Sequence, residues 1–344
     1  MTDTLVRMAR NFANAPNTSM ASRPKDSILS RYSAQPRILF VTPGVIFFPA
    51  GSGKNADYMH SKSTGLAGFP ADLIGDLFER GADVHITQPD YRRIFADILR
   101  NNHNMASRKI PGTRVHLTED RAFFYTNCPG SNYPWENIRI SLAFQREVIN
   151  HILPQVQPDL IHCHGWMSGL IPAVARRLEI PCIFTFQNVE TGKSALSEIE
   201  EQGIDAAAFW QHLFFDRFPV NYEETREANA VDFLLSGIFA ADCASVAGPA
   251  LLVKIGENLI RFPGAPLGRV LSEKLAVSCH AVTNYLAIRI HYIDLYERLL
   301  RRSVTKARVK KSRLIDESTP AGIKLDKADN MDHSDAHLLV PISV

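Results

Sequence analysis

Three pieces, in chain order, decide the fold class: RILFVTP at 37–43, PAGSGKNADYMHSKSTGLAGF at 49–69, and PADLIGDLFERGADVHITQPDYRR at 70–93. The first is an apolar run of strand length bounded by polar residues. The second is a Gly-rich polar loop. The third combines an amphipathic helix with a second strand. A helix over 67–80 sets Phe69, Leu73, Leu77 and Phe78 on one face and ends at Gly81, which suits a C-cap. Strand, loop, helix and strand in this order open a parallel α/β sheet. Ligands of such sheets bind outside the carboxyl ends of the strands, where the loop falls. The helix N-terminus would offer free N–H groups and a positive dipole end to an anion, and Lys62 would add a mobile charge suited to phosphate. The loop is not a Walker motif: GSGK at 51–54 lacks the first glycine at the required spacing, and Asn55 stands where Ser or Thr would bind magnesium. On pattern alone, a lysine among glycines is more often simply a solvated loop.

Working outward, the chain's 344 residues are enough for a sizeable core or for two domains. Apolar residues at 45% and charged residues at 22% fit a globular protein rather than a disordered or membrane one. A formal net charge of +2 gives no electrostatic case for nucleic acid or an anionic membrane. Cys128, Cys163, Cys182, Cys243 and Cys279 form no CxxC pair, which argues for thiols in a reducing cytosol. No run of about 18 apolar residues suggests a membrane span, and the first residues lack the apolar region of a secretory signal. A cytoplasmic location follows. Residues 1–36 read as a flexible leader.

Downstream, YRRIFADILRNNH (91–103) reads as a surface helix and RVHLTEDRAFFYTNC (114–128) as two strands flanking the core sheet. NIRISLAFQREVINHILPQV (137–156) is a long amphipathic helix stopped by Pro154. PDLIHCHGWMSGLIPAVARRLEIPCIFTFQNV (158–189) gives strand, helix from about Met167 to Leu178, and strand, which calls for a parallel crossover. Residues 191–230 form a polar, acidic insertion around a helix in AAAFWQHLFFDRF (206–218), expected to lie over the sheet mouth as a lid. VDFLLSGIFAADCASVAGPALLVKI (231–255) reads helix, strand, loop, helix. Residues 270–302 read as one or two helices, the last with Ile293, Tyr296, Leu299 and Leu300 in a stripe. A basic, aromatic-poor tail over 304–344 reads as disordered rather than as a nucleic-acid site.

Several segments in this order resemble the N-terminal catalytic domain of bacterial glycogen and starch synthases, ADP-glucose-using retaining glycosyltransferases of the GT-B fold. KSTGLAGFPADLIGDLFERGADV is similar to the family's lysine–Gly-Gly-Leu segment. PDLIHCHGWMSGLIPA is similar to its His-x-His/Asn-Asp-Trp-x-x-Gly-Leu segment. IFTFQNVE stands where the family has Phe-Thr-x-His-Asn, and VDFLLSGIFAADCASVAGP resembles its Phe-Leu-x-x-Gly-Ile stretch. The acidic insertion with FWQHLFF and NYEETREAN also fits. The resemblance covers residues 37–262. It implies a Rossmann-like, doubly wound parallel sheet (the GT-B N-terminal domain) with the second GT-B domain missing. Residues 263–303 would be a helical remnant, in which YIDLYERLLRRS resembles the family's C-terminal crossing helix.

The same resemblance implies transfer of glucose from ADP-glucose to an α-1,4-glucan, impaired or inactive in this isolated chain. Its alternative is a non-catalytic glucan- or partner-binding remnant. Lys62, Ser63, Thr64 and Gly65 would bind the donor phosphates. His164, Trp166, Gln187 and Asn188 would line the sugar and acceptor cleft. The departures lie at the same places. Thr64 replaces a glycine, Gly68 an acidic residue, Gly165 an aspartate, Gln187 a histidine and Ala247 a serine. Glycine supplies no carboxylate, and glutamine carries no proton at neutral pH. No catalytic residue is therefore assigned.

The expected partners are a nucleotide sugar and an α-glucan, with no nucleic acid and no membrane. A second copy or another subunit could supply the missing domain. No cofactor is expected. His162 and His164 share a strand face in a metal-like HxH, but spacing suggests no third or fourth ligand, so no metal is expected either. Trp166 could stack on a glucan ring or fill the core. Ser168 lacks a nucleophile elbow. Asp216, Glu223, Glu224 and Glu227 read as a solvated face.

Overall fold

The computed structural model describes residues 36–49, 58–62, 68–100, 105–126, 134–246, 251, 280–281 and 292–302. The chain divides into two compact units, Met1–Ser303 and Val304–Val344, and every described residue lies in the first. The expected leader and tail lie outside the described residues.

The strands are β1 (Arg37–Val41), β2 (Phe47–Pro49), β3 (Tyr58–Lys62), β4 (Asp83–Pro89), β5 (Met105–Pro111), β6 (Val115–Thr118), β7 (Leu160–His164), β8 (Cys182–Phe186), β9 (Lys193–Ser194), β10 (Val231–Asp232), β11 (Cys243–Val246) and β12 (His280–Ala281). Seven of them make one sheet in the order β12-β11-β8-β7-β1-β4-β6, and every ladder in it is parallel. The central strands are buried along their whole length because both faces are covered. Alternation divides their side chains between two cores. Ile38, Phe40, Leu160, Ile183 and Cys243 enter one; Leu39, Val41, Ile161, Cys163, Phe184 and Phe186 enter the other. The first core is closed by Leu73, Ile74 and Leu77 of the helix Gly68–Glu79 and by residues 292–302. The second is closed by the helices Pro134–Glu147, Ile171–Arg177 and Phe233–Ala240. Close approach on this side depends on Gly237, where a Cβ would stand 2.5 Å from the buried Phe184 ring.

The structure departs from the sequence reading at several places. The stretch 49–69 is not all loop: β3 lies inside it and forms an antiparallel three-stranded sheet with β2 and β5. Phe78 sits at the margin of its helix's buried stripe, about a quarter-turn from the stripe's centre at ~100° per residue, and is 42% exposed. After β6 the chain does not turn back as a second strand. Asp120 caps a short helix, Arg121–Phe124, by accepting from Ala122 N at 2.6 Å. That local bond outweighs the strand preference of the aromatic run.

Pro154 does not stop its helix. The helix begins at Pro134 and widens into a π turn at Val148–Ile152. It then continues over Leu153–Val156 and ends at Gln157 with a φ of +50°. The wider turn accommodates a ring that would clash with the carbonyl four residues back and has no N–H to give.

The insertion is not one helix over 206–218. It contains two 3₁₀ turns, Ala206–Ala208 and Trp210–His212, and Phe209, Leu213 and Phe215 are buried in the second core. Apolar spacing there serves extended packing, with Phe215 bridging antiparallel to Val231. The insertion's base is tied down by Phe233 N–H donating to Gly192 O at 3.0 Å and by Thr191 Oγ1 donating to Asp232 Oδ1 at 2.7 Å.

Within 263–303, β12 adds a short parallel strand beside β11, where only helix was expected. Residues 292–302 are helical, with Ile293, Tyr296, Leu299 and Leu300 buried as the stripe implied.

Candidate functional site

The site is built at the carboxyl ends of β7, β8 and β11. On the face covered by residues 292–302, the first halves of these strands carry Leu160, Ile183 and Cys243. Their second halves switch to His162 and His164, Thr185 and Ser245. The register sets His164 beside Thr185 and Thr185 beside Ser245. Buried polar groups need partners, and the helix supplies two. Tyr296 OH lies 2.5 Å from His162 Nδ1, while Thr185 Oγ1 lies 2.7 Å from His162 Nε2. Tyr292 OH bonds Thr185 Oγ1 at 2.9 Å and also bonds Ser245 Oγ. Burial first, and then the neighbouring His164, hold the His162 pKa well below its ordinary value, so the ring is neutral.

His164 is the exception. Its side chain is buried, yet among the described residues neither ring nitrogen has a hydrogen-bond partner. The ring rests on His162, with centroids 4.2 Å apart and planes tilted by 30°. Burial lowers its pKa to about 4, so at neutral pH it offers one N–H donor and one acceptor. A buried polar group left unpaired costs about 1–3 kcal/mol, a cost that a bound molecule could relieve. Beside it, Gly165 has a φ of +74°, and a Cβ built there meets nothing within 4 Å. Gly165 N–H donates to Thr185 O at 2.8 Å, which fixes the turn. The strand end therefore holds a buried, neutral ring whose one donor and one acceptor have no partner among the described residues, a chemistry that matches hydroxyl groups.

The other expected site residues scatter. Trp166 is half-buried and packs towards the second core, 6.3 Å from the Phe233 ring. A Cβ on Gly192 would stand 2.4 Å from its Cζ3. Gln187, half-buried, and Asn188, exposed, follow β8 one strand away from His164. Asn188 Nδ2 donates to Glu190 Oε2 at 3.3 Å. The backbone of Lys62 closes β3 opposite Met105, but its side chain is outside the described residues, as are Ser63, Thr64 and Gly65. Ser168 Oγ donates to Gly165 O at 2.9 Å and to His164 O, so it ties the turn together. Asp216 pairs with Lys193 at 2.5 Å and Glu227 with Arg226 at 2.6 Å, both on the insertion. Among the described residues, no group of three His, Cys, Asp or Glu gathers as a metal site. No helix described is long and apolar enough to cross a membrane.

Sequence reasoning missed Thr185, Ser245, Tyr292 and Tyr296. The available signal was two tyrosines four residues apart on an otherwise apolar stripe: buried phenols need partners. The strands facing them carry polar residues at matching alternate positions.

A family model described as "Starch synthase catalytic domain" matches residues 37–255. Glycogen synthase from Rhizobium rhizogenes is 23% identical over 246 residues, covering 65% of this chain and 48% of that protein. Glycogen synthase from Cellvibrio japonicus is 25% identical over 246 residues, covering 61% and 49% respectively. The chain thus spans about half the length of the curated relatives it matches. Among solved structures, the catalytic domain of Starch Synthase IV from Arabidopsis thaliana, bound to ADP and acarbose, aligns with a TM-score of 0.45 and 18% identity. That alignment covers 72% of this chain and 51% of the other. With the family model spanning most of the parallel sheet and the site at its carboxyl edge, the chain belongs to the starch synthase catalytic domain family.

Proposed function

We propose that this chain is the sugar-binding half of a glycogen/starch synthase-type glucosyltransferase, for which the donor is ADP-glucose and the acceptor an α-1,4-glucan. The observation that carries the reading is the buried, neutral and unpartnered His164 ring at the end of β7. A neutral imidazole that can give one hydrogen bond and accept another suits a sugar hydroxyl, which does both. Gly165, next in sequence, has no side chain, and a Cβ built there meets nothing within 4 Å. Lys62 and the loop Ser63–Gly65 would face the donor's diphosphate, where a cation and backbone N–H groups stabilise the charge of the leaving group. Gln187 and Asn188 would extend the acceptor side.

A second reading is favoured by one specific feature. Gly165 gives no carboxylate and Gln187 no titrating group at the two positions where the family resemblance puts an aspartate and a histidine, which favours sugar binding over transfer. Transfer is then impaired in this chain alone, and glucan binding is what remains. Labelled glucose from ADP-glucose, glycogen and the purified chain separate the two readings. Incorporation that is lost in Lys62→Ala supports transfer. Retained glycogen binding without incorporation supports the binding-only reading. Absence of both refutes the sugar-binding proposal.

A further inference from the structure

We propose that Tyr296 is a positioning residue for His164, acting through the ring of His162; this rests on reading the end of β7 as the sugar-binding site. The argument begins with a donor that must be satisfied. Tyr296 is fully buried, and burial pushes its phenol well above the usual range, so it keeps its proton. Its hydrogen-bond partner is His162 Nδ1. A buried O–H needs an acceptor, so Tyr296 donates and Nδ1 accepts. Neutral His162 then carries its proton on Nε2 and donates to Thr185 Oγ1. Thr185 is left to donate to Tyr292 OH, and Tyr292 to Ser245 Oγ. The opposite direction would leave the Tyr296 proton in the core without an acceptor.

One tautomer of His162 therefore sets the direction of a chain that joins β7, β8, β11 and the 292–302 helix. The consequence for His164 is steric. His162 is pinned at both nitrogens, whereas His164 makes no ring hydrogen bond and is seated by contact. The His162 ring lies 4.2 Å from it and the Phe40 ring 6.0 Å from it, centroid to centroid. Any turn of the His162 ring changes that seat. The helix thus holds the His164 ring in place through the His162 ring.

The test uses the full chain, sugar-free, with ¹⁵N-labelled histidine and long-range ¹H–¹⁵N NMR. The wild type is expected to show His162 as a single Nε2–H tautomer. Tyr296→Phe is expected to give mixed His162 tautomers and a shifted His164 Cε1–H resonance. Leu299→Ala loosens the same helix without touching either ring, and is expected to lower thermal stability while leaving both histidine signatures unchanged. An Nδ1–H tautomer in the wild type overturns the proposal, and needs no variant if Tyr296→Phe fails to fold. It is also overturned if His164 is unmoved in Tyr296→Phe, or moved equally in Leu299→Ala. Titration of the wild type with a maltooligosaccharide tests the sugar-site reading separately, because the tautomer result does not depend on sugar binding.

Discussion

Acid should destabilise this fold well before its carboxylates protonate, and His164 gives the magnitude. Its folded-state pKa is about 4 because burial penalises the charged ring, against about 6.5 for an unperturbed histidine. The folded state therefore favours the neutral form. Its contribution is fully present above pH 6.5 and is lost as the pH falls towards 4. Integrating the linkage gives a loss of about 2 kcal/mol by pH 5 and about 3 kcal/mol by pH 4 from this one residue. His162, His85 and His116 act in the same direction, each pushed down mainly by burial. His85 and His116 stack on the neighbouring strands β4 and β6, Nδ1 to Nε2 at 2.8 Å; burial of His85 outweighs the attraction of Asp83, and Arg114 and Arg37 add to the lowering. Urea unfolding followed by far-UV circular dichroism from pH 7.5 to 4.5 measures the effect. The midpoint should fall steadily below pH 6.5, and His164→Gln should remove about 2 kcal/mol of that dependence at pH 5. A midpoint that is flat between pH 6.5 and 5, or an unchanged slope in His164→Gln, would refute the buried neutral imidazole.

Two substitutions test how the site's scaffold is held. Gly237→Ala pushes a methyl to 2.5 Å from Phe184 carbons in a packed core; thermal melts should show a loss of about 1–3 kcal/mol from overpacking. Asp120→Ala removes both the cap on Ala122 N and the ion pair to Arg146 at 2.7 Å. It should cost about 1–2 kcal/mol by urea titration, mostly from the cap, with glucan binding unchanged.

The sheet was legible because its strands are short apolar runs punctuated by helices at the right spacing. RILFV, LIHCH and CIFTF all became buried parallel strands. What failed was decided by local bonds or distant packing. The Asp120 side chain turned an aromatic run into helix. A π turn carried the helix past Pro154. Phe209 and Phe215 of the insertion were claimed by the core rather than by a helix of their own. His164 was named through the family resemblance, but its lack of a partner among the described residues could not be read from sequence. Nor could the two tyrosines be read as its support, because they lie more than 120 residues away in sequence and on a stripe that looks simply apolar.

The most direct test of the central claim is calorimetric titration of the purified chain with a linear maltooligosaccharide, set against His164→Ala. Saturable binding that weakens about tenfold or more in the variant, as expected for about 1.4 kcal/mol of lost hydrogen bonding, is the predicted result. Absence of binding by the wild type, or equal binding by both proteins, would contradict a sugar site at the end of β7.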